Sequence, residues 1–376
     1  MRLAFPAVAW VKFLTKDFSG LYIHIPFCER KCNYCDFYSA FYSKDGIKAY
    51  LSALEGEIKR WGGKIDRPID TIYIGGGTPS LLGTEILSLA DCIRQNFSVT
   101  DDVEFTVEVN PASSDEFLRF AKQAGANRLS VGVQSGSDKM LKILGRTHTA
   151  ADALHTVKNA RKIGFKNISA DLMIALPDSS IDSLNRDIDF MLSLDVEHIS
   201  AYILKIEQNT AFSKRYDELN LPDDDFSAEQ YLHMCDRLSK NGYNHYEISN
   251  FARGQNLSRH NMKYWTERDY LGIGAAAHSF LNGERFYYPR DLQAFIKNPS
   301  TVSDGAGGDS DERLMLGLRL SSGVDLADIY GEIPQNIKEK VSLFEKVGYI
   351  KSSGTRISLT DSGMLISNSI ITELLQ

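Results

Sequence analysis

The sequence predicts an α/β protein built around a partial, TIM-like (β/α)6 barrel, followed by an extension and a small C-terminal α+β domain of the winged-helix type. Two observations support this prediction. From Leu21 onward, short β-branched and aromatic segments alternate with helical patterns, which is typical of parallel βα units. The chain also has 376 residues, which is long for one compact domain. Six repeats suit a partial barrel better than a closed eight-stranded one.

The elements of the barrel follow from these patterns. Strands are predicted at 21–25, 71–75, 103–109, 128–133, 167–174 and 198–204. Helices are predicted between them at 46–61, 84–96, 115–124, 150–163 and 180–194. Gly125 and Gly164 each stand just after a predicted helix, where a residue with left-handed backbone often ends one.

The chain is predicted to divide into four segments: an N-terminal extension (1–20), a core barrel (21–205), a barrel-closing extension (206–302) and a C-terminal domain (303–376). Glycine-rich 303–308 is predicted to be a linker. Helices are predicted after it at 311–319, 334–347 and 361–375, with a hairpin formed by 349–351 and 356–359. Winged-helix modules often bind DNA, but residues 309–376 have a net charge of −3, where a basic face is expected. We therefore predict a lid or packing role for this domain.

Composition and charge exclude several functional classes. The chain is 43% hydrophobic and 24% charged, and its net charge of −7 disfavours nucleic acid and anionic membranes as partners. Its apolar runs fall well short of the roughly 20 residues that a transmembrane helix needs. Residues 1–20 superficially resemble a signal peptide, but Pro6 interrupts the short apolar run, and we assign them no function. A cytoplasmic protein without a transmembrane segment is expected.

Three of the five cysteines stand close together after the first predicted strand, as CxxxCxxC at Cys28, Cys32 and Cys35. Pro26 ends that strand, so the cysteines lie in a loop, where three thiolates can converge on one soft metal centre. Zinc usually takes a fourth protein ligand, and none is obvious nearby. A 4Fe–4S cluster held by three cysteines fits better, since one iron can stay open. Zinc, a disulfide or three structural thiols remain alternatives.

Polar residues and glycines follow the predicted strands, at the end of a parallel barrel where active sites gather. The triplet Gly75 to Gly77 lets a ligand approach the backbone, although a tight structural turn is the alternative. Glu108 ends the third strand, and Gln134 ends the fourth. Arg146, which follows shortly, could hold a carboxylate bidentately, as lysine cannot. Asp171 lies in the fifth strand. Any one of these is more often a solvated or structural residue, but their recurrence at strand ends favours a site.

A second informative stretch is HNxxYW, with His260, Tyr264 and Trp265. An imidazole near two large aromatic rings suits a flat apolar macrocycle with an axial ligand. The alternative is a histidine whose nitrogens are satisfied by hydrogen bonds at a domain junction. Cys92 and Cys235 fall on predicted helices and are expected to be packed thiols.

These motifs resemble a known family. CxxxCxxC with Tyr34 before its last cysteine resembles the cluster loop of radical S-adenosylmethionine (SAM) enzymes. The preceding YIHIPFC resembles the oxygen-independent coproporphyrinogen III oxidase family and its relatives, the radical SAM heme chaperones. The resemblance implies a 4Fe–4S cluster on the three loop cysteines. It also implies a SAM site formed by nine residues, namely Tyr22, Tyr34, Gly76, Gly77, Thr78, Glu108, Gln134, Arg146 and Asp171.

The resemblance leaves two functions open. One is a chaperone that binds heme or porphyrin and passes heme to an unidentified acceptor protein, with an electron donor as a further partner. The other is an oxidative decarboxylase of coproporphyrinogen III. Phe37 stands where the oxidase pattern CxxxCxxCxC has its last cysteine, and only 20 residues precede Leu21, fewer than in oxidases.

Both departures favour the chaperone. HNxxYW resembles a motif of the chaperone branch and implies that His260, Tyr264 and Trp265 hold the heme cargo. If His260 is not the iron ligand, His278, near the glycine- and alanine-rich run, is the next candidate.

Overall fold

The computed structural model describes residues 17–41 and 43–376, so most of the predicted extension 1–20 lies outside the described residues. Its strands are numbered here in chain order: β1 Ser19–Ile25, β2 Phe27–Cys28, β3 Ala40–Phe41, β4 Ile69–Gly76, β5 Val99–Val109, β6 Arg128–Gln134, β7 Asn167–Ile174, β8 His198–Ile203, β9 Asn244–Glu247, β10 Asn250–Ala252, β11 Tyr270–Ile273, β12 His278–Leu281, β13 Glu284–Tyr287, β14 Val302–Ala306, β15 Val324–Asp325, β16 Ile350–Ser353 and β17 Arg356–Leu359.

The α-helices are numbered in the same way. They are α1 Lys44–Gly62, α2 Glu85–Asn96, α3 Asp115–Gln123, α4 Asp138–Ile143, α5 Ala150–Ile163, α6 Ile181–Ser193, α7 Asp224–Lys240, α8 Arg259–Trp265, α9 Leu292–Lys297, α10 Ser310–Gly317, α11 Leu326–Tyr330, α12 Gln335–Lys346, α13 Asp361–Leu365 and α14 Ser367–Leu375. Short 3-10 helices lie at Pro79–Leu82 and Ser213–Glu218. No helix among the described residues is both long enough and apolar enough to cross a bilayer.

Twelve strands form one curved sheet in the order β14-β13-β12-β11-β1-β4-β5-β6-β7-β8-β10-β9. Strands β1 and β4 to β8 run parallel, as six βα units require. β11 pairs in parallel with the other edge of β1, and antiparallel strands extend the sheet beyond both ends of this parallel set. Within the described chain β9 and β14 remain the two edge strands, so the barrel is open. The predicted partial barrel is confirmed.

The two faces of the sheet differ in polarity because successive side chains of a strand point to opposite sides. Leu21, Ile23 and Ile25 of β1 are fully buried in the apolar layer between the sheet and its helices. The alternate residues face inward, where the ring centroids of Tyr22 and Tyr73 lie 6.1 Å apart. The interior of the barrel is therefore polar, while its stability comes from the outer apolar layer.

Helix ends set the positions of several loops. Thr149 and Asp152 form a capping box at the start of α5, and Gly164 ends that helix with φ of +103°. Asp223 caps α7, and the acidic residues Asp224 and Asp225 in its first turn favour a helix N-terminus at this point. Cys92 and Cys235 are buried on α2 and α7, as predicted for packed thiols.

The C-terminal part has its own apolar cluster, which includes Leu314, Val324, Ile337, Ile357 and Ile370. Its small sheet has the order β15-β17-β16. Two backbone hydrogen bonds attach it to the barrel extension. The Ile248 N–H donates to the Arg319 carbonyl at 2.9 Å, and the Ser321 N–H donates to the Tyr246 carbonyl at 3.0 Å.

Two local predictions are wrong. The predicted linker at 303–308 overlaps β14, whose Val302 lies opposite Tyr287 of β13. All five residues of β14 are exposed, so buried and exposed side chains do not alternate along it. Its extended conformation is set by backbone pairing with β13. The final helix is divided into α13 and α14 by Ile366, whose backbone angles of −111° and 26° leave the helical range.

Candidate functional site

The cysteine loop is anchored at both ends. β2, which contains Cys28, pairs in parallel with β3, and the Ala40 N–H donates to the Pro26 carbonyl at 2.6 Å. Between these anchors the three cysteines are free and partly exposed, and the Cys35 N–H donates to the Cys32 carbonyl at 3.3 Å. Among the described residues, no three His, Cys, Asp or Glu side chains converge on a position for a single metal ion.

A cavity of about 530 Å³ lies between this loop and the carboxyl ends of the strands. The three cysteines line it, together with eight of the nine residues predicted to hold SAM: Tyr34, Gly76, Gly77, Thr78, Glu108, Gln134, Arg146 and Asp171. The ninth, Tyr22, does not line the cavity. Its hydroxyl lies 2.8 Å from Nδ1 of His24, and a contact between Tyr22 and SAM stays a prediction.

The glycines at the end of β4 bring bare backbone next to the cysteine loop. Gly76 has φ of +115°, and a Cβ at this position would lie 2.6 Å from the ring of His24. A Cβ on Gly77 would lie 2.6 Å from the carbonyl oxygen of Phe27. The Gly77 N–H donates to the Ile25 carbonyl at 2.8 Å. Thus only glycine fits at these two positions.

Two partly buried carboxyl groups, those of Glu108 and Asp171, face the cavity. Glu108 accepts from the Tyr73 hydroxyl and from the Gly76 N–H, each at 2.9 Å. Burial nevertheless raises the pKa of Glu108 to about 7 and the pKa of Asp171 to about 6. Asp171 has a weak contact with Ser130, whose hydroxyl lies 3.5 Å away. Carboxylates held in this environment gain from further hydrogen-bond donors, such as ligand hydroxyls.

Arg146 reaches from the loop after α4 into the same cavity. One of its terminal nitrogens donates to Asn110 and to the Gly132 carbonyl, each at 2.8 Å, and the other lies 3.5 Å from Sγ of Cys32. Its buried Nε has no hydrogen-bond partner among the residues that the structure describes. Asn110 also donates to Thr78, whose hydroxyl lies 3.6 Å from Sγ of Cys28. The guanidinium therefore links the cysteine loop to the strand ends and retains donor capacity for an anion.

The HNxxYW stretch forms α8, which we call the floor helix, at the opposite end of the barrel interior. Its first backbone N–H groups, those of Arg259 and His260, donate to the two carboxylate oxygens of Glu104 at 3.0 Å each. The cavity extends as far as Asn261 of this helix. Trp265 packs in a small apolar cluster with Leu257 and Met262.

His260 is fully buried in the floor helix, and both of its ring nitrogens are bonded. Nδ1 lies 2.9 Å from the Thr71 hydroxyl, and Nε2 lies 2.9 Å from the Tyr264 hydroxyl. Burial lowers the pKa of His260 to about 3, so the ring is neutral at physiological pH. Iron ligation by His260 stays a prediction, and it would require that one of these hydrogen bonds be broken.

Sequence reasoning missed residues that complete the site. Tyr73 donates to Glu108, and Asn110 bridges Arg146 and Thr78. Arg128 and Arg290 also line the cavity. The position of Asn110, two residues after Glu108 at a strand end, was a usable signal. Tyr73 could not be found in this way, because its role depends on which strand face points inward.

Comparison with known proteins places this site in a family context. The Radical SAM superfamily model matches residues 22–191, and the HemN C-terminal domain model matches residues 311–366. Heme chaperone HemW of Bacillus subtilis (strain 168) is 38% identical over 368 residues, which cover 93% of this chain and 97% of that protein. This chain belongs to the heme chaperone HemW family. Heme chaperone HemW of Escherichia coli (strain K12) is 39% identical over 267 residues, which cover 69% of each chain.

A solved structure agrees with the fold of this HemW family member. Coproporphyrinogen III oxidase (HemN) from Escherichia coli, described as a radical SAM enzyme, superposes with a TM-score of 0.80 over 98% of this chain and 93% of its own. The sequences are 21% identical, so this likeness concerns the fold alone.

Proposed function

We propose that this chain is a heme-binding chaperone that holds a 4Fe–4S cluster and SAM and transfers heme to an acceptor protein. The observation that carries the proposal is the match to heme chaperone HemW along nearly the whole chain, combined with a cavity that gathers the loop cysteines and the strand-end polar groups. Heme is the cargo in this proposal. The cluster and SAM are bound by the barrel.

The cluster is assigned to Cys28, Cys32 and Cys35. The fit rests on three free, partly exposed thiols on a loop anchored by β2 and β3. When bound, such a cluster supplies one-electron reduction of SAM and an iron without a protein ligand. The guanidinium next to Cys32 lies where it can offset the negative charge of thiolates.

SAM is assigned to the same cavity, with a separate role for each group. Glu108 and Asp171 would accept hydrogen bonds from the ribose hydroxyls, because both are partly buried carboxyl groups that line the cavity and have spare acceptor capacity. Arg146 would bind the carboxylate of SAM through its planar guanidinium. The backbone beside Gly76 and Gly77 would hold the amino group, since no side chain stands in the way.

Phe37 supports the chaperone over the decarboxylase. It lines the cavity and is 68% exposed, so a large apolar ring, and no fourth thiol, stands beside Cys35 at the mouth. An exposed ring of this size suits contact with another apolar surface. HNxxYW remains the predicted heme-binding motif of the family, with His260, Tyr264 and Trp265 as its residues.

The function is tested with anaerobically reconstituted protein in two assays, hemin titration and conversion of coproporphyrinogen III. We expect stoichiometric heme binding and no decarboxylation under conditions in which SAM is cleaved. The Escherichia coli oxidase serves as the positive control for decarboxylation. Multiple turnovers of coproporphyrinogen III without heme binding would overturn the proposal.

The SAM assignment is tested separately with Arg146→Lys. Because lysine lacks the planar fork, SAM affinity should fall by about tenfold, which is about 1.4 kcal/mol, while heme affinity stays unchanged. Equilibrium dialysis of SAM measures this effect. Arg186→Lys, on the exterior helix α6, is the matched control and should bind SAM normally. Unchanged SAM affinity in Arg146→Lys would show that the carboxylate of SAM is not bound by Arg146.

A further inference from the structure

Arg128 carries a buried positive charge that has no ion pair among the described residues. It begins β6, lines the cavity and is only 2% exposed. Within the described part of the chain, its Nε has no hydrogen-bond partner, and no hydrogen bond or ion pair involves its guanidinium. A guanidinium keeps its proton in proteins, and an unpaired buried charge is costly. This arrangement indicates that an anion binds the guanidinium from the cavity.

The position of Arg128 along β6 is deeper in the barrel than the groups assigned to the carboxylate of SAM. Alternate residues of this strand face inward, and all four of them line the cavity, namely Arg128, Ser130, Gly132 and Gln134. At about 3.3 Å per residue, the backbone of Arg128 lies roughly 13 Å along the strand from that of Gly132. The Gly132 carbonyl accepts from Arg146. Arg146 therefore belongs to an outer layer of the cavity, and Arg128 belongs to an inner one.

The inner layer also supplies hydrogen-bond donors. Ser130 of β6 and Ser200 of β8 bring hydroxyl groups to the cavity, and Asn261 brings a side-chain amide from the floor helix. Among the described residues the amide of Asn261 makes no hydrogen bond, so it can donate to a ligand. We call Arg128, Ser130, Ser200 and Asn261 the inner subsite. None of these four residues is assigned to SAM, and together they join the strand ends to the floor helix.

Charge and size define the group that fits the inner subsite. The planar guanidinium binds carboxylates and phosphates bidentately. Glu108 and Asp171 line the same cavity, and their negative charge disfavours a doubly charged phosphate over a singly charged carboxylate. The cavity of about 530 Å³ lies within the range of about 300–1,000 Å³ that is usual for one ligand. With SAM in the outer layer, the inner subsite has room for a small group only.

We propose that the inner subsite binds the carboxylate of a second ligand beside SAM, with the guanidinium of Arg128 on both carboxylate oxygens and the amide of Asn261 donating to one of them. The inference goes beyond the proposed function and rests on it only for the position of SAM in the outer layer. The carboxylate belongs to a small free acid or to a propionate of the heme cargo, whose predicted motif lies on the same floor helix. Binding is noncovalent and neutralises the buried cation.

The test is thermal unfolding of the anaerobically reconstituted full-length chain in increasing sodium propionate, with and without saturating SAM. A ligand that binds only the folded state raises the unfolding midpoint, so propionate should raise it, whereas uncharged propionamide and sodium chloride at equal ionic strength should not. Arg128→Met should lower propionate affinity at least tenfold. Arg128→Lys should lower it less, because it keeps the charge and loses only the planar fork. Arg119→Met, at an exposed position of α3, is the matched control and should respond like the unaltered chain.

The stability of the variant separates a ligand site from a structural counter-charge. Without ligand, Arg128→Met should unfold at the same temperature as the unaltered chain or at a higher one, because an unpaired buried charge is removed. If the unaltered chain does not respond to propionate, the proposal is overturned, and a lower midpoint in Arg128→Met would then show that the guanidinium serves the fold. An equal propionate response in Arg128→Met also overturns it. So does a response that disappears when SAM is added, since the carboxylate of SAM would then occupy Arg128.

Titrations with hemin and with hemin dimethyl ester distinguish the two sources of the carboxylate. If Arg128→Met weakens the binding of hemin and leaves that of the ester unchanged, the carboxylate is a propionate of the cargo. If the variant binds both as tightly as the unaltered chain does, the inner subsite takes a separate small acid. If the unaltered chain binds no heme, the proposed function fails, while the propionate response still decides whether the inner subsite exists.

Discussion

The two ends of the barrel interior differ in how their polar groups are bonded. At the cysteine loop, within the described part of the chain, three thiols are free, the Nε of Arg146 has no partner and two carboxyl groups have raised pKa values. At the floor helix, the two ring nitrogens of His260 are both bonded, and Glu104 accepts from two backbone N–H groups. The first end has unused donors and acceptors, whereas at the second the ring of His260 and the carboxylate of Glu104 are satisfied, and among the described groups there only a few, such as the buried Nε1 of Trp265, have no hydrogen-bond partner.

This difference shows that residue type alone does not distinguish a ligand site from a structural one. Cysteines in the loop and a histidine beside two aromatic residues are equally suggestive in the sequence. A buried group with both partners already in place stabilises the fold, while a group with spare capacity can bind something else. The contrast can be tested by removing one residue from each end.

The largest effect is expected at the cysteine loop. Cys32→Ala should abolish the cluster, because one of three protein ligands is lost, so iron and sulfide content should fall from about four each to near zero. Iron and sulfide analysis after anaerobic reconstitution measures this. Cys92→Ala, in the buried face of α2, is the control and should keep its cluster. A full complement of iron in Cys32→Ala would show that the loop does not hold the cluster as assigned.

At the floor helix we expect a loss of stability. His260→Ala removes the partners of Thr71 and Tyr264 and leaves both hydroxyls in a buried site. The free energy of unfolding should fall by about 2–4 kcal/mol, since each unsatisfied buried group costs about 1–3 kcal/mol. Urea unfolding followed by circular dichroism measures it. His155→Ala, on an exposed face, should change stability by less than about 0.5 kcal/mol. Equal midpoints for the two variants would contradict a structural role for His260.

The smallest effect is a pH dependence at the strand ends. Burial holds the pKa of Glu108 at about 7, so the carboxyl is mostly protonated at pH 6 and mostly ionised at pH 8. A protonated carboxyl loses acceptor capacity for ribose hydroxyls, and SAM affinity should therefore rise between these pH values by roughly threefold to tenfold. Glu108→Gln should flatten the profile, as dialysis at several pH values would show. An unchanged profile in that variant would assign the dependence to another group.

Much of the barrel could be predicted, because hydrophobic period and strand-end chemistry are local properties. The strand predicted at 167–174 is observed at Asn167–Ile174, and the helix predicted at 150–163 at Ala150–Ile163. The polar residues after separate strands meet in one cavity because parallel strands end at the same edge.

What could not be predicted depends on distant partners. β14 has no pattern of its own and is ordered by pairing with β13. Both nitrogens of His260 are bonded, but one partner, Thr71, lies 189 positions away in the sequence. Likewise, Tyr73 points to Glu108 only because β4 and β5 are neighbours in a particular register. Such relations arise from tertiary structure, which a local pattern does not contain.

The pairing of β1 with β11 has a consequence for biosynthesis. The strand that leads into the cysteine loop obtains its second neighbour from residues 270–273, close to the last quarter of the chain. A ribosome releases the chain from its N-terminus, so this edge stays unpaired until Ile273 has emerged. Open strand edges invite pairing with other molecules. Nascent or prematurely ended chains are therefore exposed to aggregation at the segment that later carries the cysteines.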